Sequence, residues 1–199
     1  MDWQTLFNME HTHVHSAELE PPARYQELVL GGLTDEEIRL VPVEGQNSIA
    51  WLLWHMTRCE DVALNVVLSG HGEVYRGGWA DKLGIDRVDI GTGMTPSEVS
   101  DLSQRVDLEA LLSYRLAVAR RTREVVAQLE DTWLQTSMTD DEVIALRAMG
   151  AFGAHGGWVG DFWAPKPRMW FLWLATGHCY HHLGEAMVVR SLAGRPVGK

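Results

Sequence analysis

Several features that would place this chain in a particular class of protein are missing from its 199 residues. It has only two cysteines, Cys59 and Cys179, which is too few for a disulfide scaffold and fits a reducing compartment. No window of about 18 apolar residues is free of charge, so a membrane-spanning helix is not expected. The first residues, MDWQTLFNMEH, carry acidic groups where a secretory signal needs a basic and then an apolar segment. We therefore expect a cytoplasmic protein.

Positive charge is also scarce, because 17 Lys and Arg stand against 27 Asp and Glu, a net charge of −10. Binding to nucleic acid or to an anionic membrane depends on basic groups that neutralise phosphates, so neither partner is expected. Hydrophobic residues make up 46% of the chain and charged residues 22%, which is ordinary for a packed protein and argues against disorder. The length fits one domain, which we assign to residues 1–199.

Common catalytic motifs are absent as well. The chain has no G-x-x-x-x-G-K-[ST], no G-x-S-x-G and no H-E-x-x-H. The sequence therefore does not support a phosphate-binding loop, a serine hydrolase or a zincin. A di-iron carboxylate bundle needs Glu-x-x-His pairs on two helices, and the sequence does not supply them.

The hydrophobic pattern that is present has a helical period, with no strand-like alternation. It predicts an all-α fold, and four long helices favour a four-helix bundle. The predicted long helices run from Pro21-Pro22 to Gly31, from Asn47 or Ser48 to Ser69-Gly70, from Asp107 to Leu129, and from Pro167 to just before Gly194.

Shorter elements are also predicted. Thr34–Glu37 and Thr95–Glu98 each have the capping-box pattern that begins a helix, and a further short helix is predicted around Asp140–Arg147. The long connection between Gly70 and Thr95 fits a crossover between the second and third long helices.

Two sets of polar residues are predicted to be solvated. The third long helix has an arginine-rich face, and the N-terminal residues 1–20 form a lead in which histidines alternate as in an extended segment. The arginines are Arg115, Arg120, Arg121 and Arg123, and the histidines are His11, His13 and His15.

Three other histidines form a candidate metal site. His178 and His182 are four residues apart on a predicted helix, so their side chains project from one face and can bind one ion. His55 lies on the apolar stripe of the second long helix, where a lone histidine is more often a hydrogen-bonded core residue than a ligand. Three histidines from two helices would leave coordination positions open for substrate, as in a catalytic site. His181 points about 100° away from His182 and is excluded.

Two neighbours of these histidines have open roles. Glu185 shares the face of His182, where it would hydrogen-bond a ligating histidine, accept a proton from bound water, ligate directly, or serve only the structure. We list Glu185 as the candidate catalytic residue. Cys59 is four residues from His55, but a free cysteine is usually small core filler, so it is left outside the ligand set.

Two histidine-bearing segments resemble a known family. NSIAWLLWHMTRCED, around His55, and HCYHHLGE, at residues 178–185, are similar to the DinB-like (DinB/YfiT) superfamily of metalloenzymes, as are GTGMTPSEV, LLSYRLAV and the C-terminal SLAGRPVG. The resemblance implies a four-helix bundle with a long crossover between helices 2 and 3, often a homodimer. It also implies one divalent ion held by His55, His178 and His182.

The resemblance also suggests a reaction class, because characterised relatives include thiol-dependent transferases. Our leading hypothesis is an enzyme that uses a divalent ion (Zn, Ni or Fe), a low-molecular-weight thiol cosubstrate and a small-molecule substrate. The loops 70–95 and 148–166 would form the substrate pocket. Alternatives are a metal-dependent hydrolase and a non-catalytic, stress-associated metal-binding or structural bundle.

Overall fold

A computed structural model describes residues 2–20 and 25–197 of the chain. Within these ranges the backbone is helical and forms no strand, apart from an isolated antiparallel bridge between Ser137 and Pro167. None of the helices described is both long and apolar enough to cross a membrane. The all-α prediction is confirmed, whereas the four-helix-bundle description stays a prediction. The elements are α1 (Trp3–Val14), α2 (Tyr25–Leu30), α3 (Asp35–Arg39), α4 (Ile49–Glu60), a π-helix (Asp61–Leu68), α5 (Trp79–Leu83), α6 (Pro96–Arg105), α7 (Leu108–Val126), α8 (Asp131–Leu134), α9 (Asp140–Ala148), α10 (Trp158–Trp163), a 3₁₀ helix (Arg168–Ala175) and α11 (Gly177–Leu192).

Helix α4 is the central element, because every one of its residues is buried. It begins where the sequence predicts, with the Ser48 hydroxyl accepting a hydrogen bond from the Trp51 backbone N–H at 2.9 Å. It continues directly into the π-helix, which ends at Leu68 with Ser69 as its C-cap, close to the end predicted at Ser69-Gly70. Helices α7 and α11 pack against α4. Any polar side chain on α4 therefore needs a partner inside the protein.

The predicted caps are also found. Thr34 and Thr95 each form a capping box at the start of α3 and α6, and Thr139 does the same for α9. Asp107 caps α7. The connection between Gly70 and Thr95 contains the single short helix α5.

The predicted fourth helix is not continuous, and this expectation was wrong. The 3₁₀ helix ends at Ala175, and Thr176 has φ −126° and ψ −83°, so the chain turns before α11 begins. A Cβ atom on Gly177 would lie only 2.0 Å from Nε1 of Trp173. The break therefore depends on a glycine that lets the Trp173 indole pack against the first turn of α11.

The prediction of an extended, solvated N-terminal lead was also wrong. Residues Trp3–Val14 form α1, which Asp2 caps by accepting a hydrogen bond from the Thr5 N–H at 2.7 Å. His11 and His15 are buried, whereas His13 is exposed. Phe7 anchors the helix, since its ring stacks on His11 and is itself buried. The helix start predicted at Pro21 and Pro22 lies outside the described residues.

One arginine of the predicted solvated face is in the core. Arg115 is buried on α7 and donates hydrogen bonds to the Gln26 amide oxygen at 2.8 Å, to the Val14 carbonyl at 2.8 Å and to the Thr57 hydroxyl at 3.4 Å. Arg120 is exposed, as expected. The prediction that Arg115 is solvated was wrong, because α1 and α2 cover this side of α7, and the local sequence pattern does not show that contact.

Buried apolar side chains form two clusters that meet along α4 and where the 3₁₀ helix joins α11. The first cluster includes the α4 residues up to Met56 together with Cys179 and Leu183, and the second includes Cys59 and Leu174. His55 and His178 lie at the boundary between the two clusters.

Candidate metal centre

The three histidines predicted from the sequence come together between α4 and α11. The ring centroids of His55 and His178 are 5.1 Å apart, those of His55 and His182 are 4.9 Å apart, and those of His178 and His182 are 4.5 Å apart. His55 lies mid-helix on α4, and the other two lie one turn apart on α11. His181 is exposed, as its position on the helix predicts.

Hydrogen bonds to groups outside the cluster fix the tautomers of His55 and His182. Nδ1 of His55 is 2.5 Å from the Ile90 carbonyl oxygen, and Nδ1 of His182 is 2.9 Å from a carboxylate oxygen of Glu185. Neither oxygen can donate a proton, so Nδ1 carries the hydrogen on both rings. Nε2 therefore keeps its lone pair on both, which is the form that binds a metal ion.

His178 completes the group and leaves a nitrogen without a partner. Its Nε2 lies 3.1 Å from Nε2 of His182, and its buried Nδ1 has no hydrogen bond to any of the described residues. If the proton is on Nδ1, two lone pairs face each other; if it is on Nε2, Nδ1 is an unsatisfied acceptor. Either state costs about 1–3 kcal/mol in a buried site, and a cation at the facing lone pairs would remove the repulsion in the first.

Burial keeps the two inner histidines neutral. Burial, followed by the neighbouring His55 and His182, lowers the pKa of His178 to about 2. Burial and His182 lower the pKa of His55 to about 4, although the hydrogen bond to Ile90 acts in the opposite direction. Both rings are therefore available as neutral ligands near neutral pH.

Glu185 lies behind His182. One of its oxygens accepts from His182, and the other accepts from the side-chain amide of Asn47 at 3.0 Å. The hydrogen bond from His182 lowers the pKa of Glu185, so the group is a carboxylate at neutral pH. A carboxylate in this place orients the His182 ring and holds its Nδ1 proton.

Cys59, which the sequence analysis left outside the ligand set, forms a group of close donors with His55 and His178. Its Sγ is 3.8 Å from both ring nitrogens of His55, and one donor atom each of His55, Cys59 and His178 lie within 4.8 Å of one another. Burial raises the pKa of this thiol far above its usual value, which favours the protonated form in the absence of a cation. The four-residue spacing from His55 was the sequence signal for this placement.

A cavity of about 510 Å³ opens beside these donors. His55, Cys59 and His178 line one part of it, and tryptophan and phenylalanine side chains line much of the rest. Trp51 stacks on His55, with ring centroids 4.7 Å apart and planes within 8°. The donor atoms thus adjoin a space that can admit a small molecule.

A second group of donors, which the sequence analysis missed, lies on α1 and α4. His11 and His15 each approach one carboxylate oxygen of Glu60 through Nε2 at 2.9 Å, and the Thr122 hydroxyl donates to Glu60 at 2.7 Å. All three side chains of the His11, His15 and Glu60 group are buried. His11 and His15 have the same four-residue spacing as His178 and His182, and that was the available signal.

Comparison with known proteins identifies the family. A search of curated proteins gave no match. The crystal structure of a conserved protein from Enterococcus faecalis superimposes with a TM-score of 0.69 at 21% identity, over 96% of this chain and 97% of the other, which shows a shared fold. The family model of the DinB superfamily matches residues 22–186, most of the chain. This chain therefore belongs to the DinB superfamily.

Proposed function

We propose that the chain is a divalent-metal-dependent enzyme whose ion is held by His55, His178 and His182. The observation that carries the proposal is the pair of hydrogen bonds from His55 to Ile90 and from His182 to Glu185, which leave the Nε2 lone pair of both rings free to bind an ion. Three imidazole ligands suit Zn, Ni or Fe, and availability selects among them.

The neighbouring cavity favours catalysis over a purely structural role. Structural metal sites are closed by four protein ligands, whereas catalytic sites keep positions open for substrate. When bound, the ion would act as a Lewis acid that lowers the pKa of a thiol or of water. His55 and His178 line the cavity, so a substrate bound there would lie next to the ion.

We assign Glu185 a positioning role. Its oxygens accept hydrogen bonds from His182 and Asn47, and Glu185 is not among the described residues that line the cavity, so it is not placed to take a proton from a substrate bound there. Its carboxylate keeps His182 in the Nδ1-protonated tautomer. Glu185→Gln should weaken metal affinity about 10–100-fold, the usual effect of losing such an outer partner.

The proposed reaction is a thiol-dependent transfer, with a low-molecular-weight thiol as cosubstrate, and the rival is a metal-dependent hydrolysis. Turnover of an electrophilic substrate panel by the metal-loaded protein should require added thiol. Turnover without thiol would favour the hydrolase instead. No turnover in either condition, with the ion bound, would support a non-catalytic metal-binding protein.

Elemental analysis of tag-free protein tests the ligand set. We expect about one divalent ion per chain in the wild type and its loss in His55→Ala, His178→Ala and His182→Ala. His181→Ala is the matched control, because this exposed histidine is adjacent to His182 in the chain but outside the cluster. Wild-type protein without metal after reconstitution would overturn the proposal.

Two further variants separate the competing donor groups. Cys59→Ser should retain the ion, since the proposal places the thiol outside the ligand set. Glu60→Gln should also retain it, since His11, His15 and Glu60 form a separate cluster. Loss of the ion in Glu60→Gln with retention in His55→Ala would move the metal site to that second cluster.

A further inference from the structure

The walls of the cavity beside the candidate metal centre are unusually aromatic. Helix α10 contributes Trp158, Phe162 and Trp163, and the 3₁₀ helix contributes Trp170 and Trp173. The described residues that line this cavity include no Asp or Glu. A volume of about 510 Å³ is within the range of small-molecule sites.

These rings hold one another in place. Phe162 packs edge-on against Trp170, with centroids 5.6 Å apart and planes at 85°, and Trp170 lies 5.7 Å from Trp173. Three of the rings nevertheless remain open to solvent: Trp158 is 59% exposed, Phe162 45% and Trp173 45%. Grouped and exposed aromatic side chains next to a cavity mark a surface that binds an apolar ligand.

The charge of Lys166 bears on which ligands the cavity favours. The ammonium group of Lys166 lies 4.5 Å from the ring centroid of Phe162 and 5.8 Å from that of Trp170. Lys166 is not itself a lining residue, but its positive charge beside two of the lining rings disfavours a cationic ligand there. No carboxylate among the described lining residues would offset this repulsion.

We propose that the cavity binds a planar aromatic substrate that is neutral or anionic, with its ring between the tryptophan walls and its reacting group toward His55 and His178. This assignment rests on the proposed function for the identity of the reacting position. The binding of the ring itself depends only on the aromatic walls and Lys166.

Calorimetric titration with three matched probes tests the assignment: 1-naphthalenemethanol, 1-naphthoate and (1-naphthylmethyl)trimethylammonium. We expect the first two to bind and the cation to bind at least tenfold more weakly. Trp158→Ala and Phe162→Ala should each weaken binding about tenfold or more. Met169→Ala is the control, because Met169 is an exposed apolar residue of the 3₁₀ helix that does not line the cavity.

Lys166→Glu tests the charge argument separately, since it should reverse the preference and allow the cationic probe to bind. Absence of binding by the neutral and anionic probes, preference for the cation in the wild type, or unchanged affinity in Phe162→Ala would each overturn the proposal. Metal content measured on the same samples distinguishes the two proposals. Probe binding to metal-free protein supports the aromatic site alone, whereas bound metal without probe binding refutes this site and leaves the metal site intact.

Discussion

Glu60 is a fully buried carboxylate that joins α1 to α4. Burial alone would raise its pKa, but His15 and His11, with their hydrogen bonds, hold the pKa of Glu60 well below its usual value. The Thr122 hydroxyl supplies a third donor. The group is therefore charged in the folded protein, and its stability contribution depends on donors that α1 provides.

Replacing Glu60 by glutamine should destabilise the fold. The amide presents a donor where three donors converge, so at least one buried polar group loses its partner, and we expect a loss of about 3 kcal/mol in the free energy of unfolding. Urea denaturation measures this loss. Glu44→Gln is the control, because Glu44 is exposed and its change should stay within about 0.5 kcal/mol. Equal stability of the two variants would contradict the role given to Glu60.

His15 predicts a pH dependence with a definite sign. Burial is the main reason that the pKa of His15 is lowered to about 3, from the ordinary histidine value of 6.5. Between these pH values, His15 therefore binds a proton in the unfolded chain but stays neutral in the folded protein. The contribution of His15 to the free energy of unfolding should be complete above pH 6.5. It should fall as the pH drops toward 3, by up to about 1.4 kcal/mol per pH unit for this one proton.

Urea denaturation at pH 7, 6, 5 and 4 measures this slope. His15→Gln should reduce it, because glutamine can still donate toward Glu60 but cannot titrate. His13→Gln should leave the slope unchanged, since His13 is exposed on the same helix. A slope that is identical in His15→Gln and in the wild type would show that other groups produce the pH dependence.

Individual residues differ in how far the sequence could predict them. The four-residue spacing of His178 and His182, and the apolar neighbours of His55, are local signals, and the structure brings the three rings together as they suggest. His11 and His15 are different, because their partner Glu60 lies 49 and 45 residues away. Local patterns carry no information about such contacts, so the pair was misread as solvated.

At the scale of elements, helix starts were predictable and the helix break was not. Ser48, Thr95 and Asp107 cap the helices that follow them through hydrogen bonds within three residues, which the local sequence specifies. The break at Thr176 depends instead on the packing of the Trp173 indole over Gly177. No capping signal or hydrophobic period records that steric requirement.

Two glycines of α11 should respond oppositely to alanine. In Gly177→Ala the new methyl group would overlap the Trp173 indole, so the ring must move, with an expected cost of about 1–3 kcal/mol. In Gly184→Ala the methyl group enters open space on a helix, where alanine should stabilise by roughly 0.5–1 kcal/mol. Urea denaturation of both variants checks the contrast. A similar change in both would mean that Gly177 does not determine the break.

At the scale of the whole molecule, the candidate metal centre lies where the two apolar clusters meet. His55 and Cys59 follow one another by a single turn of α4, and the boundary between the clusters passes between Met56 and Cys59. The chain from the 3₁₀ helix into α11 is divided in the same way, with Leu174 in one cluster and Cys179 in the other. An ion bound by His55 and by the two histidines of α11 would connect the two clusters.

Metal binding should therefore stabilise the entire fold rather than a local segment. An ion that binds only the folded state, at about 100 times its dissociation constant, adds about 2.7 kcal/mol. For a domain of this size, that corresponds to a rise of roughly 5–10 °C in Tm. Calorimetry of loaded and chelator-treated protein should show this difference in one cooperative transition. His182→Ala should abolish the difference and His181→Ala should preserve it, because only His182 belongs to the cluster. Equal Tm values for loaded and chelated wild-type protein would mean that the ion does not link the two clusters, whatever its stoichiometry.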